Sequence, residues 1–386
     1  MSGMNQPVFP GRLGLQQRVF PAYRAPFYDA LAEASQGGLS VFAGQPLPEE
    51  NIAADGSLKK ARFVLAQNRN FFPISSPLYQ CWQSGFLRWL EEWQPLALIV
   101  EGNSRYPSTR LAVRWMHNHH RPVIGWGLGA PPLKPKGVIE QLLVPWRRWE
   151  RISLLKSLDG VIAYSRRGAE EYRALGLKAG QIFVAPNAVT PRPDSPLLPR
   201  SETVDECPTL LYVGRLQPRK RIDLLLQACA ALTAERQPNL WIIGDGPARS
   251  GFESLAREIY PKAEFFGDQR GPSLERYYKK ADLFVLPGTG GLAVQQAMAH
   301  GLPVIVAQGD GTQEDLVRPE NGLLVPPNDP AALIEAIRSA LSDIPRLRRM
   351  GEESYRIVVE EINLERMVEA FVEALNQIIL DCGTSN

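Results

Sequence analysis

Between Phe284 and Val306 the chain reads FVLPGTGGLAVQQAMAHGLPVIV, two short apolar runs separated by a glycine-rich turn and a segment of helical periodicity. Few folds accommodate such a stretch. Phe284–Leu286 has the length of a buried strand, and Pro287 ends it. Gly288, Gly290 and Gly291 then let the backbone turn without a Cβ in the way. Leu292–His300 places Val294, Ala297 and Met298 at helical spacing, and Gly301 with Pro303 closes the helix before the strand Val304–Val306. A glycine loop that opens a helix aims free N–H groups and a positive dipole end outward, an arrangement that suits phosphate.

The same unit recurs. TLLYVGRLQPRKRIDLLL predicts a strand over Leu210–Val213, Gly214, a loop with Arg215, Arg219, Lys220 and Arg221, and an apolar helix. LWIIGDGPARSGFESLA predicts a strand over Trp241–Ile243, the turn Gly244, Asp245, Gly246, and a further helix; AEFFGD predicts a short strand ending at Gly267. Four successive strand–loop–helix units imply a parallel, doubly wound sheet, whose ligands bind at the carboxyl ends of its strands. The basic loop and the Gly288–Gly291 loop share that edge, so a nucleotide diphosphate is the implied ligand.

The words VGRLQPRK, IIGDGP, FFGD, YYKKADLFVLPG, QAMAHGLPVIV and NGLLVPPNDPAAL stand here in one order. Their order and spacing resemble those of the donor-binding domain of family 4 glycosyltransferases, from about Thr209 to Arg338. The resemblance implies an α/β chain of GT-B architecture, two Rossmann-like doubly wound domains facing a cleft, that moves a hexose from a nucleotide-sugar donor with retention of configuration. It implies that Arg215 and Lys220 grip the donor diphosphate in the catalytic step, with Thr289, Gly290, Gly291 and Leu292 against phosphate and sugar. Gly214, Gly244, Asp245 and Gly267 fall at the same edge and complete the expected donor site. The family usually carries two glutamates eight positions apart here, for the hexose and the ribose. This chain has Gly288 and Gln296 in their place, which leaves Gln296 to hydrogen-bond the ribose. No metal or other cofactor is expected, since no Asp-x-Asp pair is present and cationic side chains can carry the leaving diphosphate.

The amino-terminal half repeats the alternating pattern. Residues 1–10 read as a disordered lead, Arg12–Phe20 as the first strand, and PAYRAP as the loop at its carboxyl end, which in a GT-B enzyme makes Tyr23 and Arg24 candidates for acceptor or phosphate contact, with a surface cap or ion pair the alternative for Arg24. LYQCWQSGFLRWLEEW reads as an amphipathic helix. Glu101 directly follows the strand Leu98–Val100, where a carboxylate orients a hydroxyl or acts as general base; an ion pair with Arg105 or Arg110 is the alternative. Pro122–Gly125 reads as a strand and Trp126 as a stacking face in the turn after it, where Gly127 and Gly129 replace the histidine that many family members carry. In Lys134–Leu158, Leu142, Leu143, Trp146, Trp149 and Ile152 recur at helical spacing among Arg147, Arg148, Arg151 and Lys156. Two readings fit: a helix resting peripherally on anionic lipid through 134–156, or a core-facing helix with a basic rim that Pro145 breaks.

Forty-three Lys and Arg against 41 Asp and Glu leave a net charge of +2, which argues against nucleic acid as a partner. The start lacks a signal-peptide pattern and no apolar stretch is long enough to span a bilayer, so the expected location is cytoplasmic, or peripheral at the inner face of the membrane. Cys81, Cys207, Cys229 and Cys382 are scattered and read as reduced thiols; His117, His119 and His120 read as a solvated helix end rather than a metal site.

The expected boundaries are 1–189 for an acceptor-binding domain, a proline-rich linker over 190–208, a donor-binding domain over 209–364, and a terminal helix and tail over 365–386 that crosses back. The expected activity is transfer of a hexose, UDP-glucose-like first and GDP-mannose second, to an acceptor hydroxyl of a glycan or lipid-linked saccharide. A non-catalytic nucleotide-sugar-binding partner, and a sugar-nucleotide epimerase of the same architecture, are the alternatives.

Overall fold

The computed structural model describes residues 7–50, 57–135, 137–201, 207–233 and 237–383, and the chain divides into two compact units, 1–189 with 365–386, and 190–364. The first unit has β1 (Leu13–Val19), β2 (Leu39–Gly44), β3 (Arg62–Leu65), β6 (Ala97–Glu101), β7 (Val123–Gly127), β8 (Gly160–Ala163) and β9 (Ile182–Val184), of which β2, β6, β7 and β8 are mainly apolar, buried runs, with the hairpin β4 (Gln67–Phe71) and β5 (Gln80–Ser84) inserted between β3 and β6. The seven strands pair in the order β3-β2-β1-β6-β7-β8-β9, all parallel. Runs buried on both faces are what a parallel sheet covered by helices requires. The strand order reverses beside β1, so the carboxyl ends of β1 and β6 flank the crevice where such sheets bind ligands.

Several local expectations change. Residues 78–93 are strand β5 followed by the helix Phe86–Trp93, not one helix. Gly85 turns the chain at φ 84°, and inward-facing Cys81 and Gln83 alternate as a strand's residues do. Gln83 fixes this hairpin to β1: its Oε1 accepts from Gln16 Nε2 at 2.5 Å, and its Nε2 donates to the Gln17 carbonyl at 3.0 Å and to Asn68 Oδ1 at 2.9 Å. Of the expected lead, residues 1–6 lie outside the described residues. Phe9 is fully buried, and its N–H donates to the Ala34 carbonyl. Pro145 does not break its helix, which runs unbroken over Val138–Lys156. From residue 365 the terminal helix belongs to this first unit, with Phe371 edge-on to both Phe27 and Trp126.

The second unit is a six-stranded parallel sheet of β10 (Thr209–Val213), β11 (Asn239–Ile243), β12 (Ala263–Gly267), β13 (Leu283–Leu286), β14 (Val304–Ala307) and β15 (Gly322–Val325), in the order β12-β11-β10-β13-β14-β15. Its order reverses between β10 and β13. The loops after those two strands are the basic loop and the Gly288–Gly291 loop, so topology alone brings together the two segments on which the donor-site reading rests.

The stretch expected as a free linker is tied to this unit over its described part. Thr190 donates its N–H to Gln295 Oε1 at 3.2 Å, and Gln295 Nε2 donates to the Ile362 carbonyl at 2.9 Å. The Arg200 guanidinium donates to the carbonyls of Ala281, Tyr278 and His300. Burial first, and then the repulsion of Arg348, pulls its pKa down to about 10. Removing a charged donor strands three carbonyls, so Arg200→Ala is expected to destabilise the second unit by about 2 kcal/mol. Urea unfolding followed through Trp241 measures this.

Candidate functional site

At the donor edge the two loops meet through Thr289. Its carbonyl accepts from Lys220 Nζ, and its hydroxyl accepts from Arg219 Nη1 at 2.9 Å. Their approach is closer than any side chain permits: a Cβ built on Gly288 lies 2.4 Å from the Arg219 carbonyl oxygen and 2.5 Å from the Lys220 carbonyl carbon. A glutamate therefore cannot stand at Gly288 without moving the basic loop. Gly290 follows at φ 146°, and its carbonyl accepts from Gln313 Nε2 at 2.7 Å. The amides of Gly290 and Gly291 have no acceptor among the described residues, and Leu292 opens the helix Leu292–Ala299. Those N–H groups remain for a ligand.

Arg215 is half-buried in the same loop. Lys220 has its ammonium pulled down to about 8, by burial first and then by Arg219, while Asp310 acts the other way. Gly214, Gly244 and Gly267 sit at the ends of β10, β11 and β12, but their backbone is partly spent: Gly214 N–H donates to the Ile243 carbonyl at 3.0 Å, and Gly244 N–H to the Gly267 carbonyl at 2.7 Å. What Gly214 and Gly244 offer a ligand is closeness rather than an N–H. Asp245 is exposed and caps its own turn, accepting from Gly246 N–H at 2.6 Å and pairing with Arg249 at 3.1 Å. Gln296 is half-buried, and its Oε1 faces the Tyr278 hydroxyl at 3.5 Å. Sequence reasoning missed Asp310, Thr312 and Gln313, whose loop after β14 braces the glycine turn from behind. Thr312 Oγ1 donates to Asp310 Oδ1 at 2.5 Å, and Gln313 Oε1 accepts the Asp310 N–H at 3.0 Å. The glycines of GDGT, at the end of a third strand, were the available signal.

The first unit has its own site at the carboxyl edge, a cavity of about 340 Å³ that Glu101 lines. Glu101 pairs with neither Arg105 nor Arg110. Its Oε2 accepts the Arg18 N–H at 2.8 Å, its Oε1 accepts from the Tyr106 hydroxyl at 3.4 Å, and burial pushes its pKa up. Arg110 instead donates to Ser153 Oγ and the Glu150 carbonyl. A carboxyl group raised in a cavity is suited to proton transfer or to orienting a hydroxyl.

Trp126 and Arg24 need correction. Trp126 belongs to β7, not to the turn, and is 1% exposed. Phe371, Tyr164 and Phe27 surround its ring at centroid distances of 5.2–5.3 Å, so it enters the cavity wall as a packed core ring rather than as an open stacking face. Arg24 is 3% exposed, lies 4.9 Å over the Trp126 ring, and donates to Asn187 Oδ1 at 2.5 Å. It is a core cation braced by aromatic rings. Tyr23 is exposed, outside the cavity. Of the histidines, His117 pairs with Asp159 at 3.0 Å and His119 stacks on Trp115. Among the described residues no three His, Cys, Asp or Glu side chains gather as a metal site.

The model of the family "Glycosyl transferases group 1" matches residues 197–357. A GDP-mannose-dependent alpha-mannosyltransferase of Mycolicibacterium smegmatis is 39% identical over 132 residues, 33% of this chain and 33% of that protein. Matches of this kind span about a third of the length of the curated relatives. Solved structures extend the likeness over the whole chain. Sucrose-phosphate synthase of Thermosynechococcus elongatus superposes with a TM-score of 0.66 at 22% identity, covering 97% of this chain and 98% of that one. Anabaena HepE in complex with UDP superposes with a TM-score of 0.67 at 14% identity, covering 97% and 100%. The chain has the GT-B fold. Within that fold the second unit, which carries the family match, holds the Lys220–Thr289 contact, and the first holds the Glu101 cavity.

Two outcomes follow. Gly288→Glu, which restores the usual glutamate, is expected to weaken UDP binding at least tenfold and to lower the unfolding midpoint of the second unit; calorimetric titration and scanning measure both, and a gain in affinity would contradict the steric argument. If Lys220 grips a donor phosphate as the sequence leads one to expect, binding raises its pKa, and UDP affinity is then full below about pH 8 and falls as pH rises through it, by up to tenfold per unit. The Lys220→Arg variant flattens that decline.

Proposed function

We propose that the chain is a hexosyltransferase that takes a hexose from a nucleotide-sugar bound at the second unit and delivers it to an acceptor hydroxyl at the cavity of the first. The carrying observation is the junction of Lys220, Arg219 and Thr289 with the unspent Gly290 and Gly291 amides, a cationic cradle for a diphosphate leaving group. The group 1 family match and the shared fold support it. Arg215 and Lys220 neutralise the departing diphosphate, and the reaction requires no metal or cofactor beyond the donor. Glu101 receives or orients the acceptor hydroxyl. Retention of configuration follows the family 4 resemblance. With Gly288 in place of a carboxylate, the hexose is held by backbone groups and by the braced Thr289–Leu292 turn.

A UDP-hexose such as UDP-glucose is the first donor, supported by the UDP-bound HepE structure; GDP-mannose is the second, supported by the mannosyltransferase relative. The acceptor is a glycan or lipid-linked saccharide. Helix Val138–Lys156 supports a peripheral membrane contact. Val138, Leu142 and Trp149 are 75%, 76% and 65% exposed, beside Trp146 and Arg148, and Leu154 and Leu155 near its end are buried in the core. No helix among the described residues is long and apolar enough to cross a membrane. A cytoplasmic enzyme resting on the inner leaflet through this helix accounts for so much exposed apolar surface.

Titration with UDP, GDP, ADP and UDP-glucose, followed by assay of sugar release, tests the activity. Selective binding of one base with slow release is the expected result; binding of none would refute the reading. Arg215→Ala and Lys220→Ala should each weaken UDP and UDP-glucose alike, by about 10- to 100-fold. Trp146→Ser with Trp149→Ser should abolish co-sedimentation with anionic vesicles while leaving UDP affinity unchanged. Retained sedimentation would eliminate the membrane contact.

A further inference from the structure

We infer that the cavity of the first unit recognises an acceptor bearing a phosphate or diphosphate group, held by the guanidinium groups of Arg105, Arg147 and Arg151. This rests on the reading of the first unit as the acceptor-binding half. The three arginines come from two separate segments, the loop after β6 and the helix Val138–Lys156, and line one cavity of about 340 Å³ with Glu101, Tyr79 and Tyr172. That volume suits a group the size of a sugar phosphate. The side chains of Arg105 and Arg147 are half-buried and have no hydrogen-bond or ion-pair partner among the described residues. Arg151 donates only to the Pro131 carbonyl, at 2.7 Å.

The carboxylates nearby balance them only in part. Glu101 is engaged by Arg18 N–H and Tyr106. Glu150 also lines the cavity, where burial pushes its pKa up and the charge of Arg110 acts the other way. Glu171 accepts from the Ala130 N–H and pairs with Arg167 at 3.7 Å, and it is the one of these carboxylates that offsets Arg151. Burial first, and then the repulsion of Arg147, lowers the pKa of both Arg105 and Arg151. Like charges gathered at a half-buried wall cost stability unless an anion joins them. Guanidinium forks match the oxygens of a phosphate, whose charge of up to about −2 neutralises most of that on the three cations. Leu78 and Leu128, both exposed and lining the same cavity, provide apolar wall for the remainder of the acceptor.

The full chain is titrated with glycerol, glycerate, glycerol 3-phosphate and monomeric dihexanoyl phosphatidic acid in the presence of saturating UDP. UDP affinity is measured on the same samples, so that failure of the transferase reading registers separately. Glycerol 3-phosphate is expected to bind at least tenfold more tightly than glycerol or glycerate. Arg105→Gln with Arg147→Gln should abolish that preference, Arg105→Lys with Arg147→Lys should keep most of it, and neither pair should alter UDP affinity. If the glutamine pair does not fold, Arg147→Gln alone carries the comparison from the helix surface. Tighter binding of phosphatidic acid than of glycerol 3-phosphate assigns the phosphate to a lipid, and equal binding assigns it to a soluble acceptor; both support the inference. No preference for the phosphate, or a preference that survives the glutamine substitutions, overturns it.

Discussion

The backbone of Gly288 lies against the peptide joining Arg219 to Lys220, and the donor edge is built around that contact. With a Cβ excluded, the loops after β10 and β13 close to hydrogen-bond distance, so that Lys220 reaches the Thr289 carbonyl and Arg219 its hydroxyl. The same closeness buries Lys220 beside Arg219, which depresses its pKa and leaves positive charge inadequately compensated. On the proposed reading, a bound diphosphate would relieve both costs. Glycine at position 288 is the steric condition for this approach: a carboxylate side chain at this point would need the space the basic loop occupies.

On the first sheet the constraint is different. The polar network of Gln16, Gln83 and Asn68 fixes the inserted hairpin to β1, and Gln16 also accepts the Glu101 N–H at 3.1 Å through its Oε1. Glu101 is therefore held by the Arg18 N–H and the Tyr106 hydroxyl and makes no direct ion pair, so burial outweighs the opposing charge of Arg18 and raises its pKa. A buried carboxylate paired with arginine would be locked in its charged form and be a poorer base. The aromatic cluster of Phe27, Trp126, Tyr164 and Phe371 closes the floor beneath, with Arg24 over the Trp126 ring.

What the sequence made legible follows from which forces are local. The alternation of apolar runs with glycine loops carried the strand order's consequences at the second sheet, because a parallel strand's burial and a loop's glycine content are both written in adjacent residues. The roles of Arg24 and Trp126 were not legible. Both lie next to the sheet edge in sequence, but the ring of Phe371, nearly 250 positions away, helps turn Trp126 from a surface into a core residue. Residues 78–93 misread for a related reason: Leu, Trp and Glu at helical spacing in the second half masked the strand alternation of Gln80–Ser84, whose partner strand is a short polar segment with no apolar signature of its own. The segment 190–201 read as a linker because it is proline-rich; its attachment runs through backbone carbonyls that no composition reveals.

Helix Val138–Lys156 shows how one element serves two surfaces. Its last turns are anchored, with Leu154 and Leu155 buried and Arg110 tied to the Glu150 carbonyl and Ser153. One stripe along the preceding turns presents Val138, Leu142 and Trp149 to solvent. Apolar surface left in water forgoes about 25 cal/mol per Å², so three large side chains on one exposed face forfeit several kcal/mol that a core-facing register would have recovered. Arg147 and Arg151 leave the same helix toward the cavity. Rotating the helix to bury the stripe would withdraw those two guanidinium groups from the cavity wall. Its exposed register is the one in which the apolar stripe and the cationic wall coexist, and this ties the membrane-contact reading to the phosphate-recognition reading through a single rotation angle.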